Sequence, residues 1–96
     1  MAKKRNKPKS HKITLLGKKY TFRKVPYLGN LNGDCDPPDA IDKTIRVQSG
    51  LKDKDELECC LHEFLHAIDW SKDETWVEQA ACDISLILWK LGWRKK

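Results

Sequence analysis

The chain has 96 residues, which suits one small domain, and its 40% apolar and 34% charged residues are typical of a globular protein rather than a low-complexity one. Its longest apolar stretch, residues 84–89, is interrupted by Ser85 and is far shorter than the roughly 20 residues that a membrane-spanning helix needs. The N-terminus begins with charge and carries no apolar segment of the signal-peptide type, so we expect neither export nor a membrane span.

The formal net charge of +5 is concentrated at the two ends of the chain. Residues 1–12 hold six basic side chains and no acid, residues 94–96 hold three more, and residues 13–90 hold ten basic and fourteen acidic side chains. We therefore predict a disordered basic tail over residues 1–10, one domain over 11–93 and a basic tail over 94–96. Such tails are either simply solvated or bind nucleic acid or another polyanion, and composition leaves both interpretations open.

Two strands joined by a tight turn are predicted at the start of the domain. Residues 12–16 and 19–25 have the short, alternating pattern of a β-hairpin, and Gly17 suits its turn. Residues 29–43 are rich in glycine, asparagine, aspartate and proline, which predicts a loop. A third strand is predicted at residues 44–48, where Ser49 and Gly50 end it.

The first helix is predicted to begin after Asp53 and to run to about Trp70. Asp53 and Glu56 have the spacing of a capping box, and apolar residues then recur at helical intervals. The apolar stripe that we expect to pack consists of Leu57, Leu61, Phe64, Leu65 and Ile68.

A second helix is predicted after another capping box, formed by Ser71 and Glu74, and Gly92 is a natural end for it. A connection of about two to four residues makes the two helices roughly antiparallel neighbours. We therefore predict an α+β fold, in which a small antiparallel sheet of about three strands packs on the helices. The apolar positions of the second helix are Val77, Ala80, Ala81, Ile84, Ile87, Leu88 and Leu91.

The four cysteines do not form a Cys-x-x-Cys pair, and Cys59 and Cys60 are adjacent. Without an export signal, free thiols in a reducing compartment are expected, which predicts a cytoplasmic location. The other two cysteines are Cys35 and Cys82.

The pattern that carries chemistry is His62-Glu63-Phe64-Leu65-His66, within the first predicted helix. Histidines at i and i+4 lie one helical turn apart on one face, so both imidazoles can reach one metal ion. Glu63 would project beside that ion, where a carboxylate can take a proton from water polarised by the metal. The sequence therefore predicts a zinc site with His62 and His66 as ligands and Glu63 as general base.

A catalytic zinc site usually has a third protein ligand, and no histidine follows His66. If the helical hairpin turns near residue 71 or 72, Glu78 is level with the second histidine and is the predicted third ligand. Glu74, nearer the tip of the hairpin, and Asp69, on the first helix, remain alternatives. Asp69 and Asp83 are also candidates to orient a histidine by a hydrogen bond.

Three further features bear on function. Tyr20, Tyr27 and His11 are candidates to stabilise an oxyanion, and the strand at 44–48 could pair with an extended substrate if it is a sheet edge. The chain also has four tryptophans, which either fill the core or, near Lys90, Arg94 and Lys95, offer a surface to a partner or nucleic acid. The tryptophans are Trp70, Trp76, Trp89 and Trp93.

The segments 61–69 and 77–81 resemble the small zinc metallopeptidases of the gluzincin group, and within it the minimal, phage-type proteins related to the SprT-like and ImmA/IrrE-like families. The stretch 33–36 and the strand at 43–47 resemble the turn and strand before the active-site helix of those proteins. The resemblance implies zinc on His62, His66 and a second-helix glutamate, Glu63 as general base, and an antiparallel sheet packed on two helices. A Glu-Ala-Asn type of third-ligand motif is not reproduced around Glu78, and the cysteine-rich zinc ribbon of larger relatives is absent.

Two functions are therefore weighed. The first is a zinc-dependent endopeptidase with a narrow range of protein substrates, acting in the cytoplasm, or in the host cytoplasm if the chain is phage-encoded. The second is a non-catalytic, zinc-stabilised module whose basic tails bind nucleic acid or a protein partner. A hybrid, in which nucleic acid recruits the peptidase, combines them.

Overall fold

A computed structural model describes residues 10–26, 28–29 and 31–95. In chain order these form strands β1 (Ser10–Leu15), β2 (Lys18–Val25), β3 (Gly33–Cys35) and β4 (Thr44–Gln48), followed by helices α1 (Asp53–Ile68) and α2 (Glu74–Lys90). The predicted α+β class is confirmed, as are three of the strands and both helices. The predicted disordered tail over 1–10 falls mostly outside the described residues, and Ser10 already belongs to β1.

The β1–β2 hairpin follows from its turn. Leu16 and Gly17 both have positive φ, at 50° and 80°, which is the backbone of a two-residue type I′ turn. This turn matches the twist of the strands and sets an antiparallel register that pairs Leu15 with Lys18 and Ser10 with Arg23.

The sheet has four strands in the order β1-β2-β4-β3 and is mixed, so the prediction of a three-stranded antiparallel sheet was wrong in count and direction. The missed strand, β3, lies within the predicted loop and is only three residues long. After β2 the chain crosses to the far edge of the sheet, where it forms β3. It then returns to form β4, which lies between β2 and β3. β4 is therefore antiparallel to β3 and parallel to β2. The expectation that residues 44–48 could be a sheet edge is thereby corrected, because β4 is an inner strand and β3 is the edge.

α1 lies between the sheet and α2. It contacts β1, β3 and β4, whereas α2 contacts α1 and no strand within the described part of the chain. Tyr20, Ile45 and Ala67 form the buried cluster between sheet and helix, with Phe22 and Phe64 packed against it. The residues of α1 that are buried are Cys59, Glu63 and Ala67 rather than the predicted apolar stripe, of which Ile68 is 42% exposed. Two of these three side chains, Cys59 and Ala67, are small, and Gly33 of β3 lies close to Cys59.

α2 buries a narrower face than predicted. The buried residues of α2 follow one another at intervals of one turn and are Val77, Ala81 and Ser85. Two residues of the predicted apolar set, Ile84 and Ile87, are exposed. A helix with only one packing partner covers only the stripe that touches it.

Both predicted capping boxes are corrected. The residue before α1 is Lys52, with no side-chain cap, and Asp53 lies inside the first turn. The cap of α2 is Asp73, whose side chain accepts a hydrogen bond from the Trp76 backbone N–H at 2.8 Å. The helix connection is thus 69–73, longer than expected. The end at Gly92 is confirmed, with φ of 94° and its N–H donating to the Trp89 carbonyl.

The described C-terminal residues fold back on the domain. The guanidinium of Arg94 lies 3.5 Å from the centroid of the Trp89 ring. The ammonium of Lys95 lies 3.1 Å from a carboxylate oxygen of Glu56, which also pairs with Lys24 at 2.9 Å. The charges of Arg94 and Lys95 are therefore engaged within the domain, and Lys96 lies outside the described residues.

We expect Glu56→Gln to lower the free energy of unfolding by about 1–2 kcal/mol at neutral pH, because a half-buried carboxylate loses two cationic partners. Burial raises the pKa of Glu56, but hydrogen bonds from Lys24 and Lys95 outweigh it and hold that pKa below its ordinary value. A lowered folded pKa means that the stabilisation is present above the ordinary glutamate pKa and is lost as the pH falls through the folded value.

Urea unfolding of the two proteins at neutral and at strongly acidic pH measures this difference. Asp39→Asn is the matched control, because Asp39 is exposed outside the helices and forms no ion pair among the described residues. If Glu56→Gln lowers the free energy of unfolding by the same amount at both pH values, the ion-pair explanation is contradicted.

Across the described ranges, neither helix has the length and apolarity that crossing a bilayer requires. All four cysteines are described, and each is a free thiol.

Candidate metal centre

Two imidazoles from α1 and one carboxylate from α2 meet at the helical hairpin. The rings of His62 and His66 lie with centroids 4.9 Å apart on one face of α1, as the i, i+4 spacing predicts. The carboxylate of Glu74, the first residue of α2, bridges them, with one oxygen 2.8 Å from His62 Nε2 and the other 2.9 Å from His66 Nε2. The ligand atoms of these three residues all lie within 4.8 Å of one another.

The atoms that pair within this cluster are the ones that a metal ion would use. Each imidazole contacts Glu74 through Nε2, and a carboxylate accepts hydrogen bonds. A bound ion would take the Nε2 lone pair of each imidazole, with the ring proton on Nδ1, and would make Glu74 a ligand.

Glu63 lies beside the cluster and is unusually buried for a carboxyl group. It is 6% exposed and forms no ion pair or side-chain hydrogen bond within the described part of the chain. Burial, and then the negative charges of Asp34 and Glu74, raise the pKa of Glu63 to about 7. A carboxyl with this pKa exchanges protons readily at neutral pH, which is what a general base requires.

Gly33 of β3 is what allows the sheet to come so close to Glu63. A Cβ atom at this position would stand 2.8 Å from both the Arg46 carbonyl oxygen and the Cys59 sulfur, and 3.2 Å from Cγ of Glu63. Only glycine fits without displacing β3 or α1. The lack of a side chain at this position therefore allows β3 to pack directly against the predicted general base.

The triad and Glu63 open on one cleft of about 790 Å³ between β3 and the helical hairpin. Side chains that carry hydrogen-bond donors in its lining, besides the histidines, include Asn32, Trp70 and Lys72. Cys35 and Cys59 also line the cleft, but burial, and then the charge of Glu63, raises the pKa of each thiol to about 12. The thiolate form of both cysteines is therefore disfavoured at neutral pH.

Glu78, the predicted third ligand, lies one turn beyond Glu74 and lines the same cleft. Among the described residues the carboxylate that contacts both imidazoles is that of Glu74, which was the alternative. The assignment of Glu78 to the metal stays a prediction, and the geometry favours Glu74.

The other candidates lie away from the cluster. The Tyr20 hydroxyl is buried in the core and lies 3.4 Å from the Ala67 carbonyl, and His11 is exposed on the outer strand β1 beside Phe22. Tyr27 lies outside the described residues. The cleft-lining donors named above were missed, because their positions depend on packing rather than on any sequence pattern.

Neither aspartate proposed to orient a histidine contacts one. The Asp69 carboxylate accepts hydrogen bonds from the backbone N–H and hydroxyl of Ser71, which hold the pKa of Asp69 below its usual value. The Asp83 carboxylate accepts one from Gln79 at 3.0 Å. These two side chains shape the hairpin and the surface of α2 instead.

The four tryptophans were predicted either to fill the core or to offer a surface to a partner. Trp70 lines the cleft, with its ring centroid 6.1 Å from that of His66, and Trp76 carries the Lys72 ammonium over its face. Trp89 and Trp93 line a smaller, mostly apolar recess with Arg94 and Lys95. Because Arg94 stacks on Trp89, that ring face is already covered.

The side chains present fit a metal ion. Two imidazole nitrogens and one carboxylate are the donor set of three-ligand catalytic zinc sites, which keep a position open toward the substrate. The cluster faces a cleft rather than the interior, which agrees with an open rather than a closed structural site.

No protein family, curated protein or solved structure matches the chain. The fold and the cleft therefore define its class by themselves: a small α+β domain with a candidate metal centre between a sheet edge and a helical hairpin.

Proposed function

We propose that this protein is a zinc-dependent metallopeptidase with a narrow range of protein substrates. One observation carries the proposal: the buried carboxyl of Glu63 opens on the same cleft as the two imidazoles and the carboxylate that can hold a metal ion. A purely structural metal site has no need of a further buried acid beside it that pairs with none of the described residues. The resemblance of residues 61–69 to gluzincin-type metallopeptidases of the minimal, phage-type group supports the same function.

His62, His66 and Glu74 would hold the ion, with Glu78 as the alternative to Glu74. A bound zinc ion supplies Lewis acidity, which acidifies water and polarises a peptide carbonyl. Glu63 accepts the proton of the attacking water at a carboxylate oxygen and returns it to the leaving amine nitrogen. Asn32 and Lys72 line the cleft and carry hydrogen-bond donors, so they are our candidates to stabilise the negative charge that develops on the carbonyl oxygen.

β3 offers the substrate a place to bind. It pairs with β4 on one side, and its residues line the cleft on the other. An extended peptide can add to such an edge by main-chain hydrogen bonds, which brings its backbone past Glu63. We place its site of action in the cytoplasm, where cysteines are kept as the free thiols seen here.

The test measures metal and activity together. Purified protein is expected to bind one zinc ion and to cleave an unfolded protein substrate, to lose cleavage after treatment with a chelator, and to regain it with zinc. One bound zinc ion without cleavage of any substrate would support the non-catalytic module instead. In that case removal of residues 1–9 should abolish a salt-sensitive affinity for nucleic acid.

A further inference from the structure

The cleft is far more acidic than the rest of this basic chain. Six carboxylates line it, whereas Lys72 is its one cationic side chain among the described residues. Asp34 pairs with Arg46 at 2.7 Å, Glu63 and Glu74 belong to the metal centre, and Glu78 is the alternative third ligand. The six are Asp34, Asp55, Glu58, Glu63, Glu74 and Glu78.

Two of these carboxylates have no such assignment. Asp55 and Glu58 line the cleft from the first two turns of α1, and neither forms an ion pair within the described part of the chain. Asp55 stands near the positive end of the helix dipole, which explains its presence in part. Glu58 is half-buried and has no comparable reason to face the cleft.

An independent observation indicates that the cleft binds a ligand. Glu63 is more than nine-tenths buried, has no partner among the described residues, and lines the same cleft one turn or so from Glu58. The carboxyl group lines the cleft, where a bound molecule can contact it.

We propose that Asp55 and Glu58 form a substrate subsite for lysine or arginine side chains. The preferred substrates are peptides with a basic residue about two or three positions from the bond that is cut. This inference rests on the proposed peptidase function, because it assigns a position relative to the scissile bond.

The positions follow from helix and strand dimensions. Glu58 lies one turn before His62, about 6 Å along the helix axis, and Asp55 lies about 10 Å before it. An extended peptide lying along β3 advances about 3.3 Å for each residue. For a peptide that runs alongside α1 with its scissile bond level with His62, a residue two positions away is level with Glu58. A residue three positions away is level with Asp55.

The experiment compares peptides of one sequence that carry lysine, glutamine or glutamate at these positions, on either side of the cut bond. With the zinc-loaded full chain we expect kcat/KM for lysine peptides to exceed that for glutamate peptides by about tenfold, and added salt to reduce the ratio. The double variant Asp55→Lys with Glu58→Lys should reverse the preference. The double variant Asp39→Lys with Asp42→Lys is the control, because it makes the same charge change at two exposed residues outside the cleft.

A binding measurement tests the subsite independently of the peptidase function. Labelled peptides are titrated into Glu63→Gln protein and followed by fluorescence anisotropy, which needs no cleavage. If lysine peptides bind more tightly than glutamate peptides but the unsubstituted protein hydrolyses none of them, the proposed peptidase function is wrong and the proposed subsite is supported. Equal kcat/KM and equal affinity for lysine and glutamate peptides would overturn the subsite and leave the peptidase standing. If the double variant does not fold, Asp55→Asn and Glu58→Gln should each reduce the preference, and no reduction in either would also overturn it.

Discussion

Glu63→Gln is expected to reduce peptide hydrolysis by about 100-fold to 10,000-fold while leaving zinc bound in unchanged stoichiometry. Glutamine has nearly the shape of glutamate but cannot accept a proton from water at neutral pH. The metal ligands are untouched, so the loss would be confined to proton transfer. The measurements are kcat on a cleavable peptide and the zinc content of the purified variant.

The same change is not expected to weaken the fold. Because burial, and then Asp34 and Glu74, raises the pKa of Glu63 to about 7, the charged form is disfavoured in the folded protein. Replacing it by a neutral side chain of the same shape should therefore preserve or slightly increase the free energy of unfolding near neutral pH. Asp83→Asn serves as the control, since it removes a surface carboxylate of α2 that bonds to Gln79. Cleavage by Glu63→Gln at the parental rate would disprove the role of general base.

Glu74→Ala is expected to lower the affinity for zinc by more than about 100-fold, since even residues that only orient a ligand contribute about 10–100-fold. Both imidazoles lose the carboxylate that now contacts them at 2.8 and 2.9 Å, and the ion would lose its third protein ligand. Competition with a chromophoric chelator measures the dissociation constant, and circular dichroism checks that α2 is retained.

Glu78→Ala is the matched comparison, because it removes the same side chain from the same face of α2 one turn further on. We expect it to change zinc affinity by less than about tenfold. If Glu78→Ala instead removes zinc binding and Glu74→Ala does not, then Glu78 is the third ligand and the contact between Glu74 and the imidazoles is replaced when the ion binds.

Spacing in the sequence could not separate these two glutamates. Residues one turn apart on a helix share a face, so Glu74 and Glu78 both point toward α1 once the hairpin closes. The outcome depends on where α2 begins, and Asp73 rather than Ser71 caps it. Both residues can cap a helix, and the sequence pattern favoured the wrong one.

The burial of Glu63 could not be predicted from the sequence either. A helical periodicity that follows only apolar residues assigns the packed face of α1 to Leu57, Leu61 and their neighbours. In the fold, the face toward the sheet holds Cys59, Glu63 and Ala67, because Gly33 lets β3 approach that face closely. The approach depends on β3, and three residues are too few to show the alternation that identifies a strand.

What the sequence determined by itself is local: the β1–β2 hairpin from its turn at Gly17, the two helices from their apolar intervals, and the pairing of His62 with His66 from the 3.6-residue helical repeat. These features depend on residues a few positions apart, whose geometry the backbone sets. The tertiary structure alone decided which strand forms the sheet edge, which carboxylate meets the imidazoles, and that Glu63 is buried beside an acidic cleft. Each of those depends on segments distant in the chain, and only the packing of β3 and α2 against α1 brings them together.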